Sequence, residues 1–500
     1  MSMVRYCGLA VGLASLLMGG CSETVSRRES DKSTAACEQF MVRMDDLVSS
    51  SAVADAENVR IAGFPHLRIN RFLASFDVER PVGESYGAWL ERLRELDARS
   101  RRIELLNLPP EAARRLAAVV PAGMTVQSAI AECGRSLARR DLQSAGRRAE
   151  LLARAQVPDS YYGWPRMIGL YALARWPILE GVARLQRDVR ETFAQPLAAL
   201  PVAGRLVRYR PRNRQALGEA EVAGILAASS KNPLGIPEPD AASIESLFQT
   251  FAPVFEIDTL TDADRIGAIG LNGDGKVRVD VSTGVVYRLV SHARFGNESL
   301  LQLVYLIWLP ERPSENLWDI YAGKFDGLIW RVTLSPKGRP IAYDSIHPCG
   351  CYYQVFPAQG FRVVQPEDGS EPVLSPAPLV GLKPGKRLVI RLVHRTHFIQ
   401  RVYAEPSLQT GIGYGWRNYD ELRSLQGREG RRRSLFDEEG LVPCSERPER
   451  FLFWPMGVPS AGAMREWGTH AIAFLGRRHF DDPRLLEKIL KPLEPGSSHE

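Results

Sequence analysis

Leu300-Leu301-Gln302-Leu303-Val304-Tyr305-Leu306-Ile307-Trp308-Leu309 is the stretch on which the fold turns. Its apolar run, broken only by Gln302, is far shorter than the about 20 residues that cross a bilayer. A run of this length reads as a strand covered on both faces. Its surroundings keep the strand signal. Lys276 to Val281 alternates with period two, and Gly284 to Val290 is rich in β-branched residues. Ile329 to Leu334, Pro340 to Ser345, Tyr352 to Phe356 and Arg387 to Tyr403 also read as strands. Asn272-Gly273-Asp274-Gly275, Phe325-Asp326-Gly327 and Pro336-Lys337-Gly338 read as the turns between them. The expectation is a mostly antiparallel β-rich domain over residues 241–405, entered by a helix from Ala241 to Phe248.

Upstream the period lengthens to that of a helix. Trp89, Leu90, Leu93 and Leu96 share one face of Tyr86 to Arg102. Pro109-Pro110 opens a second helix, Glu111 to Val120, with proline in its favoured first turn. Val126 to Ala155 and Met167 to Leu197 continue the series. Residues 37–200 are therefore expected as a helical domain. Cys37 and Cys133 both lie in it, and a disulfide stapling two helices is the plain expectation. Residues 201–240, with alternating arginines and then prolines, read as a linker. Residues 406–500 read as mixed structure packed on the β-rich domain, ending in a helix from Asp482 to Leu490. The fold class is α+β, an N-terminal α-helical domain followed by a β-rich domain.

Composition excludes little. Hydrophobic residues at 45%, charged residues at 24% and a net charge of +6 over 500 residues describe an ordinary globular chain. Lysine is absent from Ser33 to Ser230, but acidic residues interleave with the arginines there. That pattern argues against a nucleic-acid partner.

The N-terminus is more specific. Arg5 supplies a positive charge, Gly8 to Met18 a short apolar segment, and Leu16-Leu17-Met18-Gly19-Gly20-Cys21 closes it. This resembles the lipobox of bacterial lipoprotein signal peptides, with Met18 where that class usually has Leu. The resemblance implies a signal peptide over residues 1–20, lipidation at Cys21 and a tether over residues 21–36. Ser22 follows the cysteine where an Asp would imply inner-membrane retention. It thus implies an outer-membrane anchor, with the chain on the periplasmic face. An ordinary cleaved signal is the other explanation.

Five cysteines then remain in an oxidising compartment, Cys37, Cys133, Cys349, Cys351 and Cys444. His347, Cys349 and Cys351 recur at every second position, which in an extended segment puts three ligands on one face. Imidazole and thiolates suit Zn or Cu. His292, His394 and His397 are candidates for a further ligand, although His394 and His397 would face opposite sides of a strand. Against the metal stands a disulfide from Cys444 to Cys349 or Cys351. A third option is a thiol nucleophile among Cys349 and Cys351 with His292 as its base. Gly83 to Gly87 has nucleophile-elbow spacing, but Asp77 to Val82 is charged and broken by proline, so Ser85 reads as a helix cap. Asn272 to Gly275 lacks an acid at the start of a calcium loop, whose twelfth position falls on Val281 rather than Glu, and reads as a hairpin turn. The arginine and acid runs of residues 428–440 read as a solvated loop. Aromatic clusters around Trp318 and Phe451 read mainly as core, with any exposed rings suited to stacking on envelope glycans.

The leading expectation for function is a non-catalytic envelope protein that binds a partner protein, a glycan or another ligand while held to the membrane through Cys21. The alternative is a metal- or thiol-dependent envelope hydrolase centred on His292, His347, Cys349 and Cys351.

Overall fold

Residues 300–309 lie inside the longest strand of a ten-stranded sheet. The computed structural model describes residues 32–76, 83–169, 171–212, 216–379, 386–404 and 410–493. The signal-like segment and Cys21 lie outside these, as does the stretch 77–82 before the candidate elbow. In chain order the sheet strands are β1 (Arg205–Pro211), β2 (Val254–Thr259), β3 (Val285–Phe295), β4 (Glu298–Arg312) and β5 (Gly323–Leu334). The remaining strands are β6 (Pro340–Ile346), β7 (Gln354–Pro357), β8 (Leu388–Leu392), β9 (Ile399–Ala404) and β10 (Ile412–Asn418). They lie side by side as β7-β6-β5-β4-β3-β10-β1-β2-β8-β9. The pairs β3–β10, β10–β1 and β2–β8 are parallel. The others are antiparallel.

The alternation along β4 explains why its sequence is apolar throughout. Leu301, Leu303, Tyr305, Ile307 and Leu309 enter one core. Leu300, Val304, Leu306 and Trp308 enter another on the opposite face. Gln302 is tolerated because its Nε2 donates to Thr333 Oγ1 on β5 at 3.0 Å.

Among the helices are α1 (residues 32–50), α2 (Glu84–Asn107), α3 (Val126–Gln143), α4 (Gly163–Ile168), α5 (Tyr171–Ala194), α6 (Glu219–Ser229) and α7 (Ala241–Phe251). A short helix, α8 (Arg450–Phe453), lies in the C-terminal segment, and a further helix, Leu485–Ile489, falls within the expected Asp482 to Leu490. The first core is closed by Val189 and Phe193 of α5, Val222 and Leu226 of α6, and Leu247 and Phe248 of α7. The second is closed by the C-terminal segment through Phe436, Met464, Trp467 and Phe480.

The α+β class holds, with helices in the N-terminal half and a large, mostly antiparallel sheet after them. Several boundaries differ from expectation. Residues 201–240 are not a linker: β1 is an interior strand, and α6 covers the sheet. Of the arginines in that stretch, Arg208 is paired, its Nε donating to Glu256 of β2 at 2.5 Å; Arg214 lies outside the described residues. Residues 406–500 contribute β10, between β3 and β1. The helical half includes a hairpin, Val59–Ile61 with Phe64–Ile69, and α1 begins inside the expected tether. Arg387 to Tyr403 is two strands rather than one, folded back through residues 393–398.

Two devices hold the helical half. Cys37 and Cys133 are joined, with an S–S distance of 2.04 Å. Arg423, from the C-terminal segment, donates Nε and Nη2 to Asp55 at 2.7 and 2.6 Å and Nη1 to Asp420 at 2.9 Å. Because 96 residues separate the two cysteines, replacing both with serine is expected to cost roughly 2–5 kcal/mol. Urea unfolding followed by far-UV circular dichroism measures it, and an unchanged midpoint would refute the estimate.

Candidate functional site

The His347–Cys351 segment does not run extended. Pro348 and Gly350 bend it: His347 N donates to Cys351 O at 3.0 Å and Gly350 N to His347 O at 2.8 Å. Gly350 has φ +90°, and a Cβ there would lie 2.5 Å from Ala471 O. Only glycine fits that turn against the C-terminal segment. The two thiols remain neighbours, with Cys351 N donating to Cys349 Sγ at 3.4 Å. The hydrogen bond from the Cys351 thiol pulls Cys349 below the ordinary thiol range. Giving that bond, together with burial, holds Cys351 well above it.

His347 turns away from them. Its Nδ1 meets Asp326 Oδ1 at 3.1 Å. The expected set of His347, Cys349 and Cys351 is therefore not assembled, because the bend separates the imidazole from the thiols. Among the described residues no group of three His, Cys, Asp or Glu side chains is disposed to hold a metal ion.

Asp326 is the centre of what is assembled. Read in sequence as part of a turn, it lies instead near the start of β5 and is wholly buried. Its Oδ2 meets His397 Nδ1 at 2.8 Å, and His397 Nε2 meets Asp264 at 3.3 Å. Arg447 Nη2 lies 3.8 Å from Asp326 and donates to Phe325 O at 2.9 Å. Burial alone would raise the Asp326 carboxyl, but His347, His397 and Arg447 hold it well below the carboxylate range. Burial alone would lower His397, but Asp264 and Asp326 outweigh it and raise the imidazole. His347 is lowered by burial despite Asp326. Phe325, Tyr352, Arg395 and His397 all carry φ between +54° and +61°. Non-glycine residues in that region are strained, and four of them surround this centre.

The centre backs a cavity of about 510 Å³. Pro177, Ile178, Val182 and Leu185 of α5 form one wall, and Leu374, Phe398, Leu452 and Phe474 face them. Arg312, Tyr321, Tyr352, Cys351 and Glu449 form one polar group on its lining, and Gln186, Glu371 and Arg478 line it as well. Arg312 Nη1 donates to Tyr352 Oη at 3.4 Å, and its guanidinium lies 5.5 Å from the Phe398 ring. Burial pushes the Glu449 carboxyl up to about 7, against the opposing charges of Arg447 and Arg312.

Other candidates fall elsewhere. His292 Nε2 donates to Pro237 O at 2.9 Å and its ring stacks on Phe72. It joins the sheet to the helical half, and burial lowers its pKa to about 4. It is not among the partners of Cys349 or Cys351. The expected bond from Cys444 is not formed: exposed Cys444, buried Cys349 and half-buried Cys351 are all free. His394 Nδ1 meets Asp258 at 3.1 Å, in a turn rather than a strand. Gly83, not Ser85, caps α2, and Ser85 Oγ donates to Pro233 O at 3.3 Å. Asn272 to Gly275 does form a hairpin turn, with Gly275 N donating to Asn272 O at 3.0 Å.

Asp326, Asp264, Arg312, Arg447 and Glu449 escaped sequence reasoning. Asp-Gly composition is that of a turn, and the other four stand among unremarkable charges far apart in the chain. No family model, curated protein or solved structure matches the chain.

Asp326→Asn is expected to cost about 3–5 kcal/mol, since it leaves buried cations unpaired; chemical unfolding checks this. Glu449 sets a pH signature. A raised carboxyl binds more protons in the folded state between its ordinary value and about 7. Its contribution to stability therefore falls as pH rises through that window and is flat above it. Glu449→Gln is expected to remove this slope, at most roughly 3 kcal/mol in all. Unfolding of both proteins from pH 4.5 to 8 tests it, and parallel curves would contradict the assignment.

Proposed function

We propose that the chain is a membrane-anchored envelope lipoprotein that binds a small, largely apolar ligand with a polar end and does no chemistry on it. The cavity carries this reading. Apolar walls with a few convergent polar groups are what a small-molecule seat requires, and its volume of about 510 Å³ lies in the usual range. The lipobox resemblance supports the anchor at Cys21 and the outer-membrane, periplasmic placement. Among the described residues no helix is long and apolar enough to cross a membrane.

The hydrolase alternative fits the geometry less well. A thiol nucleophile needs a base within hydrogen-bond reach. Cys349, the thiol shifted down, has Cys351 as its hydrogen-bond partner, whereas His347 meets Asp326 and His292 donates to Pro237 O, and neither ring bonds a thiol.

Gly181 of α5 lines the cavity, and a Cβ there meets nothing within 4 Å. Gly181→Trp therefore fills the seat without forcing the backbone. The apolar fluorophore N-phenyl-1-naphthylamine is expected to bind the native chain at one saturable site. Gly181→Trp should weaken it at least tenfold with unchanged thermal unfolding. Absence of saturable binding, or binding indifferent to the substitution, would sink the proposal.

A further inference from the structure

Arg312 stands apart from the other buried arginines of the molecule. It ends β4, is 8% exposed, and lines the cavity. Arg68, Arg331 and Arg423 are also buried, and each is paired, with Glu104 at 2.7 Å, Asp344 at 2.9 Å and Asp55 at 2.6 Å. Arg465 gives its N–H groups to the carbonyls of Cys349, Pro459 and Ser460. Arg312 has no carboxylate partner among the described residues, and its one hydrogen bond there is the long one to Tyr352 Oη at 3.4 Å. A buried cation left so is costly. Ring contacts offset part of that cost, since Tyr321 and Phe398 lie 5.3 and 5.5 Å from the guanidinium. They stabilise the charge without using its N–H donors. The Tyr321 hydroxyl, on the same lining, has no hydrogen-bond partner among the described residues either.

The second polar group of the lining is tied into the backbone. Gln186 Nε2 donates to Pro372 O at 2.8 Å, and its Oε1 accepts from Arg190 at 3.1 Å. Glu371 Oε2 accepts from Phe474 N at 2.7 Å, and Arg478 Nη2 donates to Glu371 O at 2.6 Å. Glu449 lines the cavity beside Arg312 without an ion pair to it. Burial pushes that carboxyl up to about 7, so below this pH it is neutral and leaves the guanidinium uncancelled.

We infer that the cavity takes an apolar monocarboxylate, its carboxylate on the Arg312 guanidinium and its apolar body along α5 between Ile178 and Leu185. This rests on the ligand-binding reading and names the class of ligand. The planar guanidinium fork matches the two oxygens of a carboxylate. A neutral head leaves the buried charge unpaired, an ammonium head repels it, and a phosphate dianion brings a second negative charge beside Glu449.

The test is displacement of N-phenyl-1-naphthylamine from the chain beginning at Ser22, which contains every described residue and carries no lipid. The competitors are decanoate, 1-decanol, decylammonium and decyl phosphate, at about pH 6.5, where an ordinary carboxylate is ionised. Decanoate is expected to compete about tenfold or more tightly than 1-decanol, and decylammonium least well. Arg312→Gln should still bind the probe, with unchanged thermal unfolding because no ion pair is removed, and should lose the preference for decanoate over decanol. Arg478→Gln should keep it. Should Arg312→Gln fail to fold, the order of the four competitors on the unaltered chain decides. A probe that does not bind overturns the ligand seat itself. A probe displaced alike by decanoate and decanol leaves the seat standing and overturns the carboxylate. Tighter competition by decylammonium or decyl phosphate overturns it too, and a preference lost in Arg478→Gln rather than Arg312→Gln overturns the placement at Arg312.

Discussion

Asp326 ties together parts of the molecule that neither sequence nor sheet order makes neighbours. The turn between β8 and β9 lies at one end of the sheet order, and β5 and β6 lie near the other. They meet because the sheet curls, and the Asp326 carboxylate bridges them, holding His397 of that turn and His347 at the end of β6. A buried carboxylate without such partners would be very costly. The curl, the bend at Pro348 and Gly350 and the left-handed residues around them are therefore mutually dependent. The cavity inherits its polar end from the same arrangement, since Tyr352 and Phe398 pack at 4.3 Å directly above it.

A second buried ionic cluster does the corresponding work for the helical half. Arg423 reaches from the C-terminal segment to Asp55 near the start of the fold at 2.6 Å, and meets Glu466 of its own segment at 3.4 Å. Arg99 adds its own contact to Asp420 at 2.7 Å. Burial would lower Arg423, yet the surrounding acids raise it well above the ordinary guanidinium range. The C-terminal segment thus packs on the sheet face, completes the Cys349 turn and anchors the helices. Both faces of α5 are used differently along its length. Its last turns bury Val189 and Phe193 against the sheet, while its first turns leave Leu173 and Trp176 outside.

Much of the architecture was legible from periodicity. Burial on both faces made residues 300–309 continuously apolar, and the 3.6-residue period at Trp89, Leu90 and Leu93 matched a helix whose one face enters a core. The disulfide was legible because two cysteines sat in helical patterns and the lipobox resemblance implies an oxidising setting. What failed was reading that depended on neighbours unseen. The Arg208 stretch looked like a linker because its arginines alternate with polar or proline residues ahead of a proline-rich run, but Glu256 on the adjacent strand accepts a hydrogen bond from Arg208. Phe325-Asp326-Gly327 looked like a turn because Asp-Gly favours turns, but His347 and His397 make that aspartate part of the core. His347, Cys349 and Cys351 looked like one face only while the segment was taken as extended.

The sequence by itself determined the helical half, the strand-rich half and the resemblance at Cys21, because local period and short motifs are encoded in consecutive residues. Only the tertiary structure decided which charges are buried together, that a cavity stands between α5 and α8, and that Arg312 lines it without a carboxylate partner among the described residues. These depend on contacts between residues up to hundreds of positions apart. No local pattern encodes them, because the free energy of a buried charge is set by what the fold brings beside it.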